Sequence, residues 1–361
     1  MTARLALVGA DHNHLYEIID RLVKVGATAV AHTAEGQFVE HYSGWQPDSV
    51  EMSYDDILAD DSIDLVVTAV IPNRRAAIAV AAIEAGKHVI ADKPGLTTMK
   101  QLDAIRSAVA GRAGRPWTVL FTERFENRAI NEAVRLARSG AVGDVVHVIG
   151  AGPHTMWAKR RPDWFWDPEA TGGILVDIGS HQVDQFMAVT GATAADVSVV
   201  ASMVGNVASP DHPAMQDIGS MTLVCGPHGP GGDGSGRTVT VRAGTGPGRT
   251  VGDHRLDYLT ARGLGTWGDC RLTIVGTDGT IEARANVDVA GAEGAEHLIV
   301  VDGEGTRRVD VSGVVVDWAE QALADIADCG ERLMTQQHAI DVTDVCLRAQ
   351  AAARPWGTRE A

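Results

Sequence analysis

The segment Gly172-Gly173-Ile174-Leu175-Val176-Asp177-Ile178-Gly179-Ser180-His181-Gln182-Val183-Asp184 carries two carboxylates and an imidazole at spacings of four and three. On a helix, residues i, i+4 and i+7 share one face, so Asp177, His181 and Asp184 would line up. A carboxylate beside an imidazole makes a proton-handling pair. The carboxylate sets the ring tautomer, and the ring exchanges a proton near neutral pH. The same residues also fit a blander role, a capping Asp with a His filling a core gap. A second motif, Lys87-His88-Val89-Ile90-Ala91-Asp92-Lys93-Pro94, separates the two readings. Lys93 stands directly before Pro94, whose ring stiffens the turn and narrows the ammonium's approach. The usual fate of a lysine is an exposed surface position.

The elements around Lys93 read as α/β units. Leu65 to Ile71 is a continuous apolar run ending at Pro72-Asn73, a buried parallel strand with its exit turn. Ala76 to Ala85 reads as a helix closed by Gly86, and His88 to Ala91 as the next strand. Lys93 then lies at the carboxyl end of a strand, where open parallel sheets gather their active sites. Arg4 to Val8, Thr28 to Ala31 and Trp117 to Phe121 supply further strands, and Asn13 to Val25 the first helix. The spacing predicts an α/β, Rossmann-type doubly wound domain over residues 1–122.

Beyond it, Glu126 to Arg138 reads as a helix. Strands follow at Val145–Gly150, Val197–Gly205, Ser220–Cys225, Thr238–Arg242, Arg271–Val275 and Leu298–Val301. This predicts an α+β domain over residues 123–361, with a large, mostly antiparallel sheet and the helix starting at Ile178 packed on one face. Gly226–Gly236 and Gly244–Gly252 read as Gly/Pro-rich surface loops. Val314–Leu333 and Asp341–Ala353 read as closing amphipathic helices. No internal repeat is present.

A chain of 361 residues suffices for two cores. No apolar run reaches membrane-spanning length, and Leu5 to Ala10 is too short for a signal-peptide core. Cys225, Cys270, Cys329 and Cys346 show no paired metal spacing and no disulfide-dense pattern, so reduced thiols in the cytoplasm are expected. The net charge of −16 disfavours nucleic acid and anionic membranes as partners.

With its Lys-Pro turn and its Gly-Gly…Asp-x-Gly-x-His-x-x-Asp signature about eighty residues later, the chain resembles the glucose–fructose oxidoreductase / inositol dehydrogenase / rhizopine-catabolism (Gfo/Idh/MocA) family. The resemblance extends to Asn73 after the fourth strand, Gly140 to Gly143, and Ile274 to Glu282. It implies a nicotinamide dinucleotide cofactor, NAD or NADP, and a catalytic set of Lys93, Asp177 and His181. It also implies cofactor contacts from Gly9, Asp11, His12, Asn13, His14, His32, Thr33, Pro72, Asn73, Lys93 and Pro94. Such a protein would be a homodimer or homotetramer through the second sheet.

Several positions depart from that pattern. The usual Gly-x-Gly-x-x-Gly turn is here Gly9-Ala10-Asp11-His12-Asn13-His14, with only its first glycine kept. An Asp11 carboxylate about 4 Å from a phosphate would cost on the order of 4 kcal/mol at an effective dielectric near 20. That is a weakening of roughly a thousandfold. The expected escape is for Asp11 to turn away and cap the following helix, with protonated His12 or His14 as the alternative offset. The loop's Asp11, His12 and His14 are too few to argue for a metal, and none is expected. After the second strand, His32-Thr33-Ala34-Glu35 has no Asp for the adenosine ribose, which leaves NADP allowed near His32 or Thr33. Asp92 replaces the family's Glu before Lys-Pro, and Arg74-Arg75-Ala76 stands where a His is frequent.

For the substrate, Trp157, Trp164, Trp166 and Trp267 offer aromatic faces suited to the C–H faces of sugars and polyols, with Asp184 for a hydroxyl. Packing under the sheet is the competing role for each Trp, and a helix-orienting role competes for Asp184. Arg160 and Arg161 could meet a carboxylate or simply be solvated. The expected activity is hydride transfer between nicotinamide and a secondary alcohol or ketone of a carbohydrate-like substrate (sugar, polyol or sugar acid). The rivals are an NAD-retaining lyase or glycosidase that oxidises its sugar transiently, and a non-catalytic binding homologue.

Overall fold

Short runs of branched and small apolar residues, unbroken by polar alternation, make strands that are buried on both faces. In the computed structural model they are β1 (Arg4–Ala10), β2 (Thr28–His32), β4 (Leu65–Ala69), β5 (His88–Asp92) and β6 (Trp117–Leu120), joined at one edge by the two-residue β3 (Val50–Glu51), which is exposed. They form one parallel sheet in the order β3-β2-β1-β4-β5-β6. The order reverses between β1 and β4, and at such a switch point the carboxyl ends of the strands leave a crevice for ligands. Residues 2–226, 231–232, 238–239, 249–288 and 290–356 are described. Most of the two expected Gly/Pro-rich loops, and of the strand expected over Thr238–Arg242, lie outside them.

The helices follow their apolar spacing. His14–Lys24 buries Leu15, Ile18, Ile19 and Leu22. Pro72–Glu84 starts with proline in its first turn, where the missing N–H costs nothing, and is followed by Gly86 at φ 80°. Met99–Val109 opens on a capping box between Thr98 and Gln101.

This first compact unit does not end where the sequence reading closes it. It runs to Leu120 and takes in Glu169–Gly172 and Asp317–Thr343 from later in the chain. Buried Arg115 is the reason. It pairs with Asp325 at 2.9 Å and donates to the Met334 carbonyl, while the Gln336 amide bonds both the N–H and the C=O of Trp117 at 3.0 Å. The helix expected over Val314–Leu333 is only Trp318–Asp328, stopped by Cys329 in the left-handed region at φ 56°.

The second unit comprises Phe121–Pro168, Gly173–Val316 and the chain from Asp344. Its sheet has nine strands in the order Gly305–Val309, His297–Asp302, Gly279–Arg284, Arg271–Gly276, Val145–Pro153, Thr250–Asp257, Ile218–Cys225, Val197–Gly205 and Arg354–Pro355. Neighbours are antiparallel except Thr250–Asp257 on Val145–Pro153 and Arg354–Pro355 on Val197–Gly205. The sequence reading misses four of these strands, Thr250–Asp257, Gly279–Arg284, Gly305–Val309 and Arg354–Pro355. One of them, Thr250–Asp257, takes the end of an expected loop. Its polar residues are tolerated because both edges are paired in register.

The helix Gly179–Thr190 is buried almost all round and packs on Val145–Pro153 and Thr250–Asp257. Glycine permits that approach: a Cβ at Gly252 would lie 2.7 Å from the Phe186 ring. His254 is buried beside the same ring, and among the described residues neither of its nitrogens has a hydrogen-bond partner. Burial pushes its pKa from 6.5 down to about 4. Unfolded His254 therefore takes up a proton below pH 6.5 that the folded ring refuses until about 4, so stability is lost as the pH falls through that window. At pH 4.5 this ring is expected to cost about 2–3 kcal/mol. Urea melts at pH 7.5 and 4.5 check it: His254→Phe should lose less stability than the parent, and equal losses would refute the assignment.

Candidate functional site

At the carboxyl edge of the first sheet the chain leaves β1 through Gly9, at φ 76°, where a Cβ would lie 1.8 Å from Val70 Cγ1. Thr33 Oγ1 accepts the Gly9 N–H at 3.0 Å. The Asp11 and His12 N–H groups both donate to the Ala69 carbonyl, at 3.1 and 2.9 Å, and so tie the exit of β1 to that of β4. The Asp11 carboxylate accepts the Ile71 N–H at 3.3 Å. This corrects the expected cap. Asp11 turns onto the β4 exit, and the helix after Asn13 starts with no side-chain cap. Its first N–H groups are engaged locally, His14 N–H on His12 Nδ1 at 3.3 Å and the Leu15 and Tyr16 N–H groups on the His12 and Asn13 carbonyls at 3.3 and 3.2 Å, so only the positive end of its dipole favours an anion.

Three side chains converge on Asp92, the last residue of β5. His14 Nδ1 lies 2.9 Å from one carboxylate oxygen, and His12 Nδ1 and Arg75 Nη2 lie 3.2 and 3.1 Å from the other. Burial pushes the Asp92 carboxyl up, but His14, Arg75 and His12 together hold it well below the usual carboxylate range. His12 is lowered to about 4, mainly by burial and then by His14. It is therefore neutral at pH 7, which removes it as a charge offset for Asp11.

Arg75 is fully buried and was missed as a functional position. Its Nη1 donates to the carbonyls of Asp92, Lys93 and Pro94 at 2.7, 2.6 and 2.9 Å, and its Nε to Val70 O at 2.8 Å. One guanidinium thus fixes the turn that presents Lys93. A signal was legible: Arg75 occupies the buried helix face shared with Ala76, Ala79, Ala82 and Ile83, where an arginine needs a specific partner.

Of the other predicted cofactor residues, Pro72 is buried in the first turn of its helix. Asn73 donates to the Glu169 carbonyl at 3.3 Å, and its own carbonyl accepts from Gln101 at 2.6 Å. His32 is brought elsewhere. Its two ring nitrogens meet Ser49 and Ser43 at 2.9 and 3.1 Å, and it packs edge-on to Tyr42, so it serves the core and not a 2′-phosphate. The exposed pair Glu35–Arg74, at 3.3 Å, lies instead along this edge.

In the second unit Asp177 ends the short helix Ile174–Asp177, and His181 lies in the first turn of Gly179–Thr190, where it is buried. Asp177 Oδ2 accepts the Tyr258 hydroxyl at 2.7 Å. Burial first, and then the Asp177 charge, push the Tyr258 pKa well above 10, so this hydroxyl keeps its proton and donates. No spacing rule could have found Tyr258, because it comes from the end of a distant strand. Asp184 is fully buried in a bidentate pair with Arg124, at 2.6 and 2.7 Å, which gives it a helix-orienting role.

The aromatics divide. Trp166 stacks flat on His212 with centroids 3.7 Å apart, Trp157 is exposed, Trp164 flanks buried Phe165, and Trp267 packs edge-on to His154 at 4.7 Å. The Arg161 guanidinium sits 4.1 Å above the Phe165 ring and also donates to the Met156 carbonyl.

Residues 4–119 match the model of the oxidoreductase family with an NAD-binding Rossmann fold, and residues 130–282 match the GFO/IDH/MocA C-terminal domain. A crystal structure from Erwinia carotovora atroseptica SCRI1043, described no further than as an oxidoreductase, is 33% identical with a TM-score of 0.86, over 99% of this chain and 100% of that one. The chain belongs to the GFO/IDH/MocA oxidoreductase family. Among curated members, the 1,5-anhydro-D-fructose reductase of Ensifer adhaerens is 31% identical over 37% of this chain and 39% of its own. An uncharacterised oxidoreductase of Schizosaccharomyces pombe is 27% identical over 39% of this chain and 38% of its own. The chain thus matches under two fifths of the length of these curated relatives. A levoglucosan dehydrogenase in complex with NADH and levoglucosan shares the fold at 18% identity, with a TM-score of 0.74 over 98% of both chains.

The first unit is this family's NAD-binding Rossmann domain, with an altered set of groups at the exit of its first strand. A glycine-rich loop would offer its backbone amides to the pyrophosphate. Here two of those amides are spent on Ala69. The His14, Leu15 and Tyr16 amides are spent on His12 and Asn13, which leaves the positive end of the helix dipole at His14 as the attraction for an anion.

Proposed function

We propose that this protein is an NAD(P)-dependent oxidoreductase acting at a secondary alcohol or ketone of a sugar, polyol or sugar acid. The observation that carries the reading is the pair Asp177 and His181, four residues apart across the junction of the helices Ile174–Asp177 and Gly179–Thr190, with Asp177 held by Tyr258. The family's Lys-Pro turn, fixed by Arg75, supports it, as do relatives named as a 1,5-anhydro-D-fructose reductase and a D-xylose dehydrogenase. A bound nicotinamide supplies the hydride acceptor or donor.

The chain's residues handle the rest. His181 takes the substrate hydroxyl's proton, and Asp177 stabilises the imidazolium that results. Lys93, from the family resemblance, is the donor to an oxygen on which negative charge builds. Trp267 and its neighbours offer apolar faces to the sugar ring.

Tyr258→Phe removes one hydrogen bond to a charged group, worth about 1.5–3 kcal/mol. It is expected to lower kcat by roughly 10–100-fold with a smaller change in KM, and to move the acidic limb of the pH–rate profile for alcohol oxidation, where the base His181 becomes protonated. An unchanged profile would remove Asp177 from the proton path.

Outward-facing Ile149 and Val301 on the nine-stranded sheet support a second copy of the chain as the partner there. Four cysteines outside any disulfide, with no helix among the described residues long and apolar enough to cross a membrane, support a cytoplasmic setting.

The test is titration with NADH and NADPH by nicotinamide fluorescence, followed by a panel of sugars and polyols. Exchangeable binding with turnover on the panel is the expected result. Cofactor that co-purifies and never exchanges, with a rearranged or cleaved product, would favour the transient-oxidation rival. No binding of either form would refute the proposal.

A further inference from the structure

Glu123, His154 and Cys270 come from three distant places in the sequence, and their donor atoms lie within 4.8 Å of one another. Cys270 Sγ is 3.6 Å and His154 Nε2 3.7 Å from the same oxygen, Glu123 Oε1. Bond lengths of about 2.3 Å to sulfur and 2.0–2.1 Å to nitrogen and oxygen put ligands of a tetrahedral zinc about 3.3–3.5 Å apart. The observed spacings sit close to these values, and 3.7 Å is too long for a hydrogen bond.

The surroundings aim all three groups. His154 Nδ1 faces the Gly152 carbonyl at 3.2 Å. A carbonyl only accepts, so Nδ1 carries the proton and the lone pair of the neutral ring is on Nε2, toward Glu123. The other carboxylate oxygen, Oε2, accepts from the Gln182 and Gln185 amides at 3.0 and 3.4 Å, which turns Oε1 to the cysteine and histidine. Histidine fixed through its far nitrogen and carboxylate fixed through its far oxygen is the outer shell that metal ligands carry. Glu123 and Cys270 are buried, and His154 is largely so.

We propose that Glu123, His154 and Cys270 form a binding site for a divalent transition ion of the zinc class. Thiolate, imidazole and carboxylate each replace a bond of the hydrated ion to water. The thiol proton goes to solvent as sulfur binds, with no change in oxidation state. Three protein donors leave one tetrahedral position for water or a substrate oxygen. The site lies next to the Tyr258–Asp177 hydrogen bond, since His154 meets the Tyr258 ring edge-on at 6.2 Å. A second trio, His12, His14 and Asp92, is also within ligating distance. There the Arg75 guanidinium already occupies the carboxylate, and a buried cation repels an incoming one.

The test uses the full chain, free of any histidine tag and stripped with chelator, with Co2+ and then Zn2+ as probes. One equivalent of Co2+ should give a thiolate-to-cobalt charge-transfer band that one equivalent of Zn2+ abolishes. Cys270→Ser should lose the band. Glu123→Gln and His154→Asn should weaken Zn2+ binding by at least about 100-fold, beyond the 10–100-fold typical of outer-shell changes. Exposed Cys329→Ser should change nothing. Circular dichroism verifies each fold, and the partly exposed His154 variant decides if Cys270→Ser does not fold. No cobalt bound, a spectrum without the sulfur band, or binding lost in His12→Asn and kept in Cys270→Ser would each overturn the site.

Discussion

Arg75→Met is expected to cost the first unit about 3–5 kcal/mol, the range for breaking a buried charge pair from one side. The substitution keeps the aliphatic stem and removes only the guanidinium. Asp92, wholly buried, then loses its permanent cation and is left with two imidazoles, of which His12 is neutral at pH 7. The carbonyls of Val70, Asp92, Lys93 and Pro94 lose a donor together, and each buried acceptor left unpaired carries its own desolvation cost. Arg75→Lys is not a rescue, because a point ammonium cannot span groups that the planar fork reaches at once. A loss of this size lowers the melting temperature by roughly 6–20 °C. The double variant Arg75→Met/Asp92→Asn should lose less than the sum of the singles, since the second change removes the stranded charge. Thermal and urea melts of the three variants provide the check. A single variant within about 1 kcal/mol of the parent would show that the guanidinium is dispensable, in the way surface pairs are.

The second large effect concerns chemistry. Lys93→Met and His181→Asn should each reduce kcat by about 10²–10⁴-fold, the usual size of a lost proton-transfer partner. Asn is the better probe at 181, because the ring is buried and a smaller residue would leave a cavity. If the proposed roles are correct, kcat and kcat/KM fall together and the melting temperature moves little. His181→Asn should also remove from the pH–rate profile the limb that the imidazole contributes. Turnover retained by either variant would end the catalytic assignment, even with NAD(P) still bound.

The amino-acid sequence was enough for five strands of the parallel sheet, because runs such as Leu65–Ala69 carry their burial in their own composition, whereas the exposed edge pair Val50–Glu51 carries no such signal. It also sufficed for the family, since Lys93-Pro94 and the Gly172–Asp184 signature keep their spacing along one chain. The second sheet was less legible. Thr250–Asp257 and Gly279–Arg284 gain strand character from in-register partners, which a single segment does not display. The assignment of Trp318–Asp328 to the first unit likewise depends on a distant arginine finding Asp325.

What the sequence determined by itself was the list of reactive groups and the ends of the strands that carry them. Only the tertiary structure decided their company: Arg75 on the Lys93 turn, Tyr258 on Asp177, Arg124 on Asp184, Asp11 on Ile71, and Cys270 beside Glu123 and His154. The reason is physical. Local periodicity reports which face of an element is buried, whereas a buried charge or donor must be satisfied by whatever the fold brings within about 3 Å, wherever that lies in the chain.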